Sequence, residues 1–503
     1  MKPILLAGAV CAVLMGCSNA PSTNKVSTPA GVDAPGLPNI VFIFADDLGY
    51  GDTSVYGSSV INTPHIDALA RRGVRFTQGY VSHPVCSPSR AGLVTGRYQQ
   101  RHGWEFNPAG RDVTSGMRVG EQTFADVMGA QGYATGMVGK WHLGYQGPYH
   151  PLSRGFDEYF GVLAGGSLFI DPTAPGVESS SIGLPPNMTK RPERLGVFRG
   201  RQLVEVTDYL TDVFTAEALT FIDRHQHQPF FLYLSHTTPH TPLQATPEYL
   251  DRYRHIEHQP TRIYAAMVAS LDDSVGAVVA KLKSIGQLDN TLIVFSSDNG
   301  CADYVQGACS NGTLAGFKRY HQEGGIRVPL IMSWPEALSS GVYEHPVSVL
   351  DLLATFSAAG GGASTTEDSV NLLPFLIGES VDAPHEYLYW RSGPTMAIRD
   401  KRWKLIRYNR TPLTRRDLGA DGRLQPPVAG WSLDSSHGQL TLLYDLDADP
   451  GETVNLADKH PDVVHRLSVA YAEWSAGLVT QPLLSAERST LIEVHGETVQ
   501  IIF

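Results

Sequence analysis

The feature that most constrains the fold is a series of short apolar runs, each followed directly by polar residues. The first run lies in NIVFIFADD (39–47), where the apolar residues end at two aspartates. Unbroken apolar runs of this length are typical of strands that are buried on both faces of a parallel sheet. Further strand patterns occur at 135–139, 229–236 and 291–296, and helical patterns at 63–73, 212–225 and 262–285. This alternation predicts an α/β fold with a doubly wound, mostly parallel sheet between helices.

The pattern changes near residue 385. The stretch EYLYWRSGPTMAIRDKRWKLIRYN reads as strands joined by a turn at 399–401, and a helical pattern follows near 460–476. Strands that succeed one another through short turns are typical of an antiparallel sheet. We therefore predict a main domain over 39–384 and a smaller α+β subdomain, with an antiparallel sheet, over 385–503.

The N-terminal segment has the composition of an export signal. It begins with one lysine and an apolar stretch too short to span a bilayer, and ends in Leu-Met-Gly-Cys at Cys17. This tetrapeptide resembles a bacterial lipobox, in which the cysteine is acylated. It implies a signal peptide over 1–16 and a tether over 17–38, with a lipid anchor as the only membrane attachment. Ser18 favours the outer membrane, with a periplasmic or cell-surface location; a plain signal peptide cut elsewhere is the alternative.

The five cysteines divide by position. Signal cleavage removes Cys11 and acylation takes Cys17, which leaves three in an oxidising compartment. Cys301 and Cys309 lie in one loop and can pair with each other, although an unpaired buried pair is the alternative. Cys86 then remains as a free thiol or as something other than a thiol.

The net charge narrows the range of partners. The formal net charge is -11 at pH 7, which disfavours a protein that follows nucleic-acid phosphates. An acidic protein can still bind an anion, but only through a local cationic pocket.

Polar side chains directly follow several predicted strands. Open α/β sheets bind ligands beyond the carboxyl ends of their strands, so these side chains are expected to lie where a ligand binds. These residues are Asp46, Asp47, Lys140, His142, His236, His240, Asp298 and Asn299. Three of them are aspartates and one is an asparagine, so they offer oxygen ligands. Such ligands suit a hard cation, Ca²⁺ or Mg²⁺, better than zinc. A metal would also relieve the repulsion between the carboxylates.

The stretch VCSPSRAGLVTG (85–96) places Cys86 at the start of a predicted helix, because Ser87 or Pro88 can begin one. The helix N-terminus carries partial positive charge, and Arg90 adds a cation one turn further on. An anionic group at position 86, or an anionic substrate beside it, would be stabilised there. The alternative is a reactive or merely buried thiol.

Several motifs occur in the order found in one known family. They are FADDLGYGD, TPHIDALARRGVRF, CSPSRAGLVTGR, GKWHLG, PHTP, SSDNG, KRYHQEGGIRVP and LYDLDADPGETVNLA. The chain resembles the type I sulfatases of the alkaline-phosphatase-like superfamily, over about residues 39–476. The resemblance implies an alkaline-phosphatase-like sheet sandwiched by helices. It also implies that Cys86 is oxidised by a formylglycine-generating enzyme to an aldehyde, which hydrates to a diol and acts as the nucleophile.

The same resemblance assigns the remaining roles. The metal ligands would be Asp46, Asp47, Asp298, Asn299 and the modified Cys86. Arg90 and Lys140 would hold the diol and its oxyanion, and Lys318 would grip the sulfate. His142 would act as the base during sulfate release, and His240 would protonate the leaving oxygen.

Other residues carry weaker predictions. His236 is expected to be structural, and Arg327 to fix the loop that carries Lys318. Four residues lie in predicted loops, where they either line a specificity pocket or serve packing or solubility. They are Trp104, Glu105, Arg111 and His321.

These expectations predict a Ca²⁺-dependent (or Mg²⁺-dependent) hydrolase of sulfate esters on sulfated polysaccharide or oligosaccharide fragments. One alternative is a phosphomonoester or phosphonate hydrolase of the same superfamily. Another is a surface lipoprotein that binds glycans without catalysis.

Overall fold

The computed structural model describes residues 36–108, 114–183, 191–409, 438–479, 483 and 489–502. The predicted signal peptide, Cys17, most of the predicted tether and Arg111 lie outside these residues. The described residues from Leu37 onward group into one compact unit.

The strands are β1 Asn39–Ala45, β2 Val74–Tyr80, β3 Ala134–Lys140, β4 Glu158–Val162, β5 Glu178–Ser179, β6 Val197–Arg199, β7 Gln202–Val204, β8 Phe230–Ser235, β9 Gln244–Ala245, β10 Thr291–Ser297, β11 Arg327–Ser333, β12 Gly341–Tyr343, β13 Val347–Ser348, β14 Leu388–Ser392, β15 Thr395–Arg399, β16 Trp403–Asn409, β17 Gln439–Asp445, β18 Ser489–Val494 and β19 Glu497–Ile502. The helices are α1 Pro64–Arg72, α2 Cys86–Thr95, α3 Phe124–Ala130, α4 Leu210–His225, α5 Pro247–Leu250, α6 Gln259–Ser284, α7 Glu323–Ile326, α8 Asp351–Ala359, α9 Leu373–Leu376 and α10 Pro461–Ser475. Short 3₁₀ turns lie between several of them.

The large sheet has the strand order β12-β2-β11-β10-β1-β8-β3-β4-β6-β7, and β13 pairs with β2. Its centre is parallel, since β1 lies between β10 and β8, and β3 pairs in parallel with β8 and β4. The strand β11 runs antiparallel to both β10 and β2. The fold is therefore the mostly parallel α/β sheet that the sequence predicts, with antiparallel strands towards its edges.

Alternate residues of β1 enter two different cores. Ile40, Phe42 and Phe44 pack with side chains of α2, α3 and α8 on one face of the sheet. Val41 and Ile43 pack with side chains of α1, α4 and α6 on the other. Because successive side chains of a strand point to opposite faces, an apolar residue at every position requires helices on both sides.

One helix of the described residues, α6, is long and apolar enough to cross a membrane. Most of its apolar window is buried inside the protein, where it packs in the second core. Its composition is therefore that of a core helix.

The second sheet has the order β14-β15-β16-β19-β18, with β17 paired to β16. One face packs against α10 through Ile398, Leu405 and Leu467. The other face contributes Ala397 and Ile406 to the core of the large sheet. The antiparallel sheet and its helix agree with the predicted pattern; the division of the chain between 384 and 385 stays a prediction.

Candidate active site

The strands of the large sheet bring the predicted polar residues to one edge. Asp46 and Asp47 follow β1, Asp298 follows β10, and Lys140 ends β3. The pairing of β1 with β10 carries on past the strands, because the Asp298 N–H donates to the Ala45 carbonyl (3.3 Å). The carboxyl ends of these strands therefore form one site, as open α/β sheets usually do.

Asp47 lies at the centre of the cluster, with a left-handed backbone (φ 65°). Its carboxylate accepts hydrogen bonds from Lys318 Nζ (2.6 and 2.8 Å), Asn299 Nδ2 (2.8 Å) and Tyr304 OH (3.0 Å). The Asp47 N–H donates to Asp298 Oδ1 (3.0 Å). These contacts fix the carboxylate at the meeting point of two strand ends.

Two further cations neutralise the other carboxylates. Lys140 Nζ donates to Asp46 Oδ2 (2.7 Å). Arg90 donates to Asp298 Oδ2 from Nε (2.9 Å), and its NH2 lies 2.8 Å from the same oxygen. All four side chains are buried, so the pairs are shielded from water and strong. Arg90 and Lys140, which the sequence assigned to the nucleophile, thus contact the carboxylates predicted to bind metal.

The carboxyl groups have strongly shifted acidities. Burial raises the pKa of Asp298 to about 6, and repulsion from Asp46 adds to this effect. Burial also acts to raise the pKa of Asp47, but Lys318 and His240 outweigh it and hold this pKa below its ordinary value. A cluster of buried acids with opposed shifts is typical of functional sites.

The residues present fit a divalent metal ion. Asp46, Asp47, Cys86 and His240 each offer a ligand atom, and these atoms lie within 4.8 Å of one another. Asp46 Oδ1 and Asn299 Oδ1 are buried oxygens without a hydrogen-bond partner. Buried polar atoms are normally satisfied, so these two oxygens mark a place that a cation would complete. The oxygen-rich set suits a hard cation.

Cys86 is the first residue of α2, so the helix begins slightly before the predicted start at Ser87 or Pro88, and the thiol lies at its N-terminal end, free and buried. Its Sγ lies 3.9 Å from Asp47 Oδ1. Ser87 holds the helix start in place, because its Oγ donates to the His142 carbonyl (2.6 Å) and accepts from Trp104 Nε1 (2.8 Å). Burial acts to raise the pKa of Cys86, but Lys140 and Lys318 outweigh it and lower this pKa.

A cavity of about 490 Å³ opens beside Cys86. His142, His240 and Lys318 line it together with Cys86. Its remaining described lining residues are Val85, Asn107, Pro108, Tyr145, Ala164, Gly165, Gly166, Arg194, Leu195, Thr241, Tyr304 and Arg319. The cavity therefore joins the predicted nucleophile, both predicted proton-transfer groups and the predicted sulfate ligand.

The two histidines have different environments. Burial lowers the pKa of His142 far below its ordinary value, and Lys140 and Arg90 lower it further. Burial acts in the same direction on His240, but Asp46 and Asp47 outweigh it and raise this pKa. The carbonyl of Thr241 lies 2.6 Å from His240 Nδ1, which orients that ring. A neutral and a protonated imidazole at one site can serve as base and acid.

The loop after β10 carries Lys318. The Lys318 N–H donates to the Cys301 carbonyl (2.7 Å), and Cys301 forms a disulfide with Cys309. The disulfide therefore closes the loop between Asn299 and Lys318, and stiffens the segment that bears the lysine.

Four other predicted residues lie outside the cavity lining. His236 is buried against Ser274 Oγ (2.9 Å), which agrees with a structural role. Glu105 forms a buried ion pair with Arg391 (2.8 Å), and Trp104 supports Ser87. His321 is fully buried. The packing alternative therefore holds for Trp104, Glu105 and His321, because a loop in sequence need not be a surface in the fold.

Arg327, expected to fix the Lys318 loop, donates from Nε to the Thr77 carbonyl (2.7 Å) and pairs with Glu323 (3.3 Å). It therefore joins the end of that loop to β2.

Sequence reasoning missed Tyr304 and Gly165. Tyr304 donates to Asp47 and lines the cavity, yet one tyrosine in a loop gives no signal that distinguishes it. Gly165 lies against the His142 ring, where a Cβ atom would come within 2.6 Å of Nε2. The adjacent glycines Gly165 and Gly166 are the available signal, since glycine often marks a close approach of another group to the backbone.

The fold and the site define a hydrolase of the alkaline-phosphatase-like superfamily. The family model described as Sulfatase matches residues 38–362. The chain is 31% identical to arylsulfatase A of Bos taurus, over 92% of this chain and 94% of that protein. It is also 31% identical to N-acetylgalactosamine-6-sulfatase of Homo sapiens, over 90% and 88%. The solved structure of Ps i-CgsB with k-i-k-neocarrahexaose superimposes with a TM-score of 0.75 at 33% identity, covering 90% and 95%.

The chain belongs to the sulfatase family. It is a sulfuric ester hydrolase, and members of this family generally use a divalent metal.

Proposed function

We propose that this protein hydrolyses sulfate esters of polysaccharide or oligosaccharide fragments with a formylglycine made from Cys86, and that its metal is Ca²⁺. The observation that carries the proposal is one cavity in which Cys86, His142, His240 and Lys318 all face the same space. Carboxylate and amide oxygens from Asp46, Asp47, Asp298 and Asn299 would hold the ion, with one oxygen from the modified residue 86. A bound divalent cation makes an attached hydroxyl more acidic.

The first step transfers the sulfuryl group to residue 86. One hydroxyl of the hydrated aldehyde loses its proton to solvent, its oxygen attacks sulfur, and the bond between sulfur and the glycan oxygen breaks. His240 gives a proton to the departing oxygen; its raised pKa supports this role because the ring must be protonated first. Lys318 neutralises the sulfate oxygens.

The second step releases sulfate. His142 takes the proton from the second hydroxyl of residue 86, the carbon–oxygen bond to sulfate breaks, and the aldehyde forms again. The lowered pKa of His142 supports this role, because a neutral ring can accept a proton. A serine has no second hydroxyl on that carbon and would keep the sulfate.

The glycan class is supported by the relatives. The solved neighbour holds a carrageenan-type hexaose, and one curated relative is named for a sulfated aminosugar. The cavity volume also lies within the range of pockets that hold a small ligand. We further propose that the protein is exported, matured by a formylglycine-generating enzyme and anchored through Cys17 at the outer membrane.

The experiment takes the protein from its native host and determines the state of residue 86 by mass spectrometry of the peptide 76–90. It is followed by turnover of paired nitrophenyl sulfate and nitrophenyl phosphate, and by activity after chelation with Ca²⁺ or Mg²⁺ added back. We expect an aldehyde at residue 86, preference for the sulfate, and recovery with Ca²⁺.

An unmodified thiol together with glycan binding but no turnover would refute the catalytic proposal. Preference for the phosphate would favour the phosphohydrolase alternative. Recovery with Mg²⁺ alone would refute the choice of Ca²⁺.

A further inference from the structure

The cavity beside Cys86 is lined by more cationic side chains than the proposed mechanism uses. The mechanism proposed above uses Lys318 for the sulfate oxygens and His240 for the leaving oxygen. Arg194 and Arg319 also line the cavity, and none of its described lining residues is a carboxylate. Two arginines therefore line the cavity in addition to the groups that the proposed mechanism uses, and an arginine fork is well suited to bind an anionic group of a ligand.

The position of Arg319 is fixed by its backbone and its neighbours. Its φ is 82°, in the left-handed region that non-glycine residues rarely occupy. Its N–H donates to the Pro84 carbonyl (2.8 Å), two residues before the nucleophile. Its side chain pairs with Asp303 and lies over the Tyr304 ring, 5.6 Å from the centroid. An unfavourable backbone held by such contacts is a common sign of a functional position.

Arg194 belongs to a separate part of the wall. It lies in the 3₁₀ turn Glu193–Leu195 and is exposed. The turn is hydrogen-bonded to the segment 164–167, which carries Gly165 and Gly166, because the Leu195 carbonyl accepts from Ser167 Oγ (2.7 Å). A Cβ atom at Gly165 would come within 2.6 Å of the His142 ring and one at Gly166 within 3.5 Å of the His240 ring, so this segment lies beside both rings. Arg194 is thus held near the reacting groups by a short, bonded segment.

Arginine is the side chain best suited to a second anion here. Its planar fork matches the two oxygens of a sulfate or carboxylate, and it stays charged at all accessible pH values. The cavity volume of about 490 Å³ leaves room for the sugar that bears such a group.

We propose that Arg194 and Arg319 form a second anion subsite, which selects glycans with another sulfate or a uronate carboxylate near the scissile sulfate. The inference rests on the proposed function and specifies its substrate further. One charge-assisted hydrogen bond contributes roughly 1.5–3 kcal/mol, so a doubly anionic fragment should be preferred about tenfold or more.

The test compares three matched oligosaccharides: one with a single sulfate, one with a second sulfate, and one with a single sulfate and a uronate. The measured quantity is the ratio of kcat/KM for each doubly anionic substrate to that for the monosulfated one. The variants are Arg194→Gln and Arg319→Gln, and the matched control is Arg254→Gln, an exposed arginine outside the cavity.

We expect a ratio of at least about ten for the native chain and for the control. Each cavity variant should lower the ratio several-fold, mainly through KM. The substrate with the higher ratio identifies the second group as sulfate or carboxylate. A ratio near one in the native chain, or an unchanged ratio in both cavity variants, would overturn the subsite.

Binding separates this inference from the proposed function. Calorimetry with the Cys86→Ala variant and the same oligosaccharides measures the preference without turnover. A tenfold preference in binding would uphold the subsite even if the native chain proved inactive. Equal binding of all three, with turnover of each by the native chain, would reject the subsite and keep the sulfatase chemistry. If Arg319→Gln fails to fold, Arg194→Gln alone decides.

Discussion

Lys404 is a buried lysine that joins the second sheet to the loop of the active site. It lies in β16, and its Nζ is 2.9 Å from Glu323 Oε1 and 2.9 Å from Glu452 Oε1. All three side chains are buried, and Glu323 begins α7, five residues after Lys318. We predict that Lys404→Met destabilises the protein by about 3–5 kcal/mol, because it leaves two carboxylates facing each other in the core.

The predicted loss depends on pH, and its direction follows from Glu452. Burial raises the pKa of Glu452 to about 7 even beside Lys404. Without the lysine, this pKa should rise further. The folded variant then binds a proton that the unfolded chain has already released, so its stability falls as pH rises above about 4.5. The difference in the free energy of unfolding between native and variant chains should therefore be larger at pH 8 than at pH 5.5.

Guanidinium unfolding at the two pH values provides the assay. The control is the double variant Lys404→Met/Glu452→Gln, in which Glu323 keeps Arg327 (3.3 Å) and the Tyr80 hydroxyl (2.6 Å) as partners. It should recover much of the stability at pH 8. A loss below about 1 kcal/mol, or an equal loss at both pH values, would show that the ion pairs do not stabilise this contact.

Three further predictions concern the active-site loops. Burial raises the pKa of Asp52 to about 7, so ionisation of this carboxyl lowers the stability of the folded chain as pH rises from 3.8 towards 7. We expect Asp52→Asn to flatten the decline of Tm over this pH range. An unchanged slope of Tm against pH would contradict this prediction. The double variant Cys301→Ser/Cys309→Ser should lose roughly 2–3 kcal/mol in denaturant titrations without reductant, as expected for a short closed loop, and no loss would mean that the disulfide is dispensable. Tyr304→Phe removes the hydroxyl that donates to Asp47 (3.0 Å) and should weaken binding of the proposed Ca²⁺ about tenfold in calorimetry, whereas an unchanged Kd would exclude Tyr304 as a support of the proposed metal ligands.

The sequence predicts the parts of the site that the sheet itself arranges. Asp46 and Asp298 come together because β1 and β10 are parallel neighbours, and apolar runs identify such strands without further knowledge. The helix start at Cys86 is likewise local, since Pro88 and the residues around it favour a first turn. Both rules depend on a few adjacent residues and on the general geometry of parallel sheets.

Contacts made by packing between distant segments give no comparable local signal. Glu105 reaches Arg391 across the boundary of the two sheets, and Lys404 reaches Glu323 in the same way. Each of these charged residues looks like a solvated loop or strand residue in sequence, since charges are rarely buried. The assignment of Trp104 and His321 was open for the same reason, because burial of a loop is decided by what packs over it.

Two adjacent residues of the Lys318 loop differ in whether the sequence predicts their role. The role of Lys318 is expected from the sequence, and that of Arg319 is not. Lys318 contacts Asp47, a strand-end residue, and it belongs to a motif from which its role was expected. Arg319 adopts a left-handed backbone conformation and, like Lys318, lines the cavity, but its side chain pairs with Asp303. Because of the backbone conformation at residue 319, Lys318 contacts the carboxylate cluster and Arg319 lies in the cavity wall. If the proposed subsite is correct, the chemistry fixed by the sheet can stay constant while the loop residues that follow it change which sulfate ester is bound.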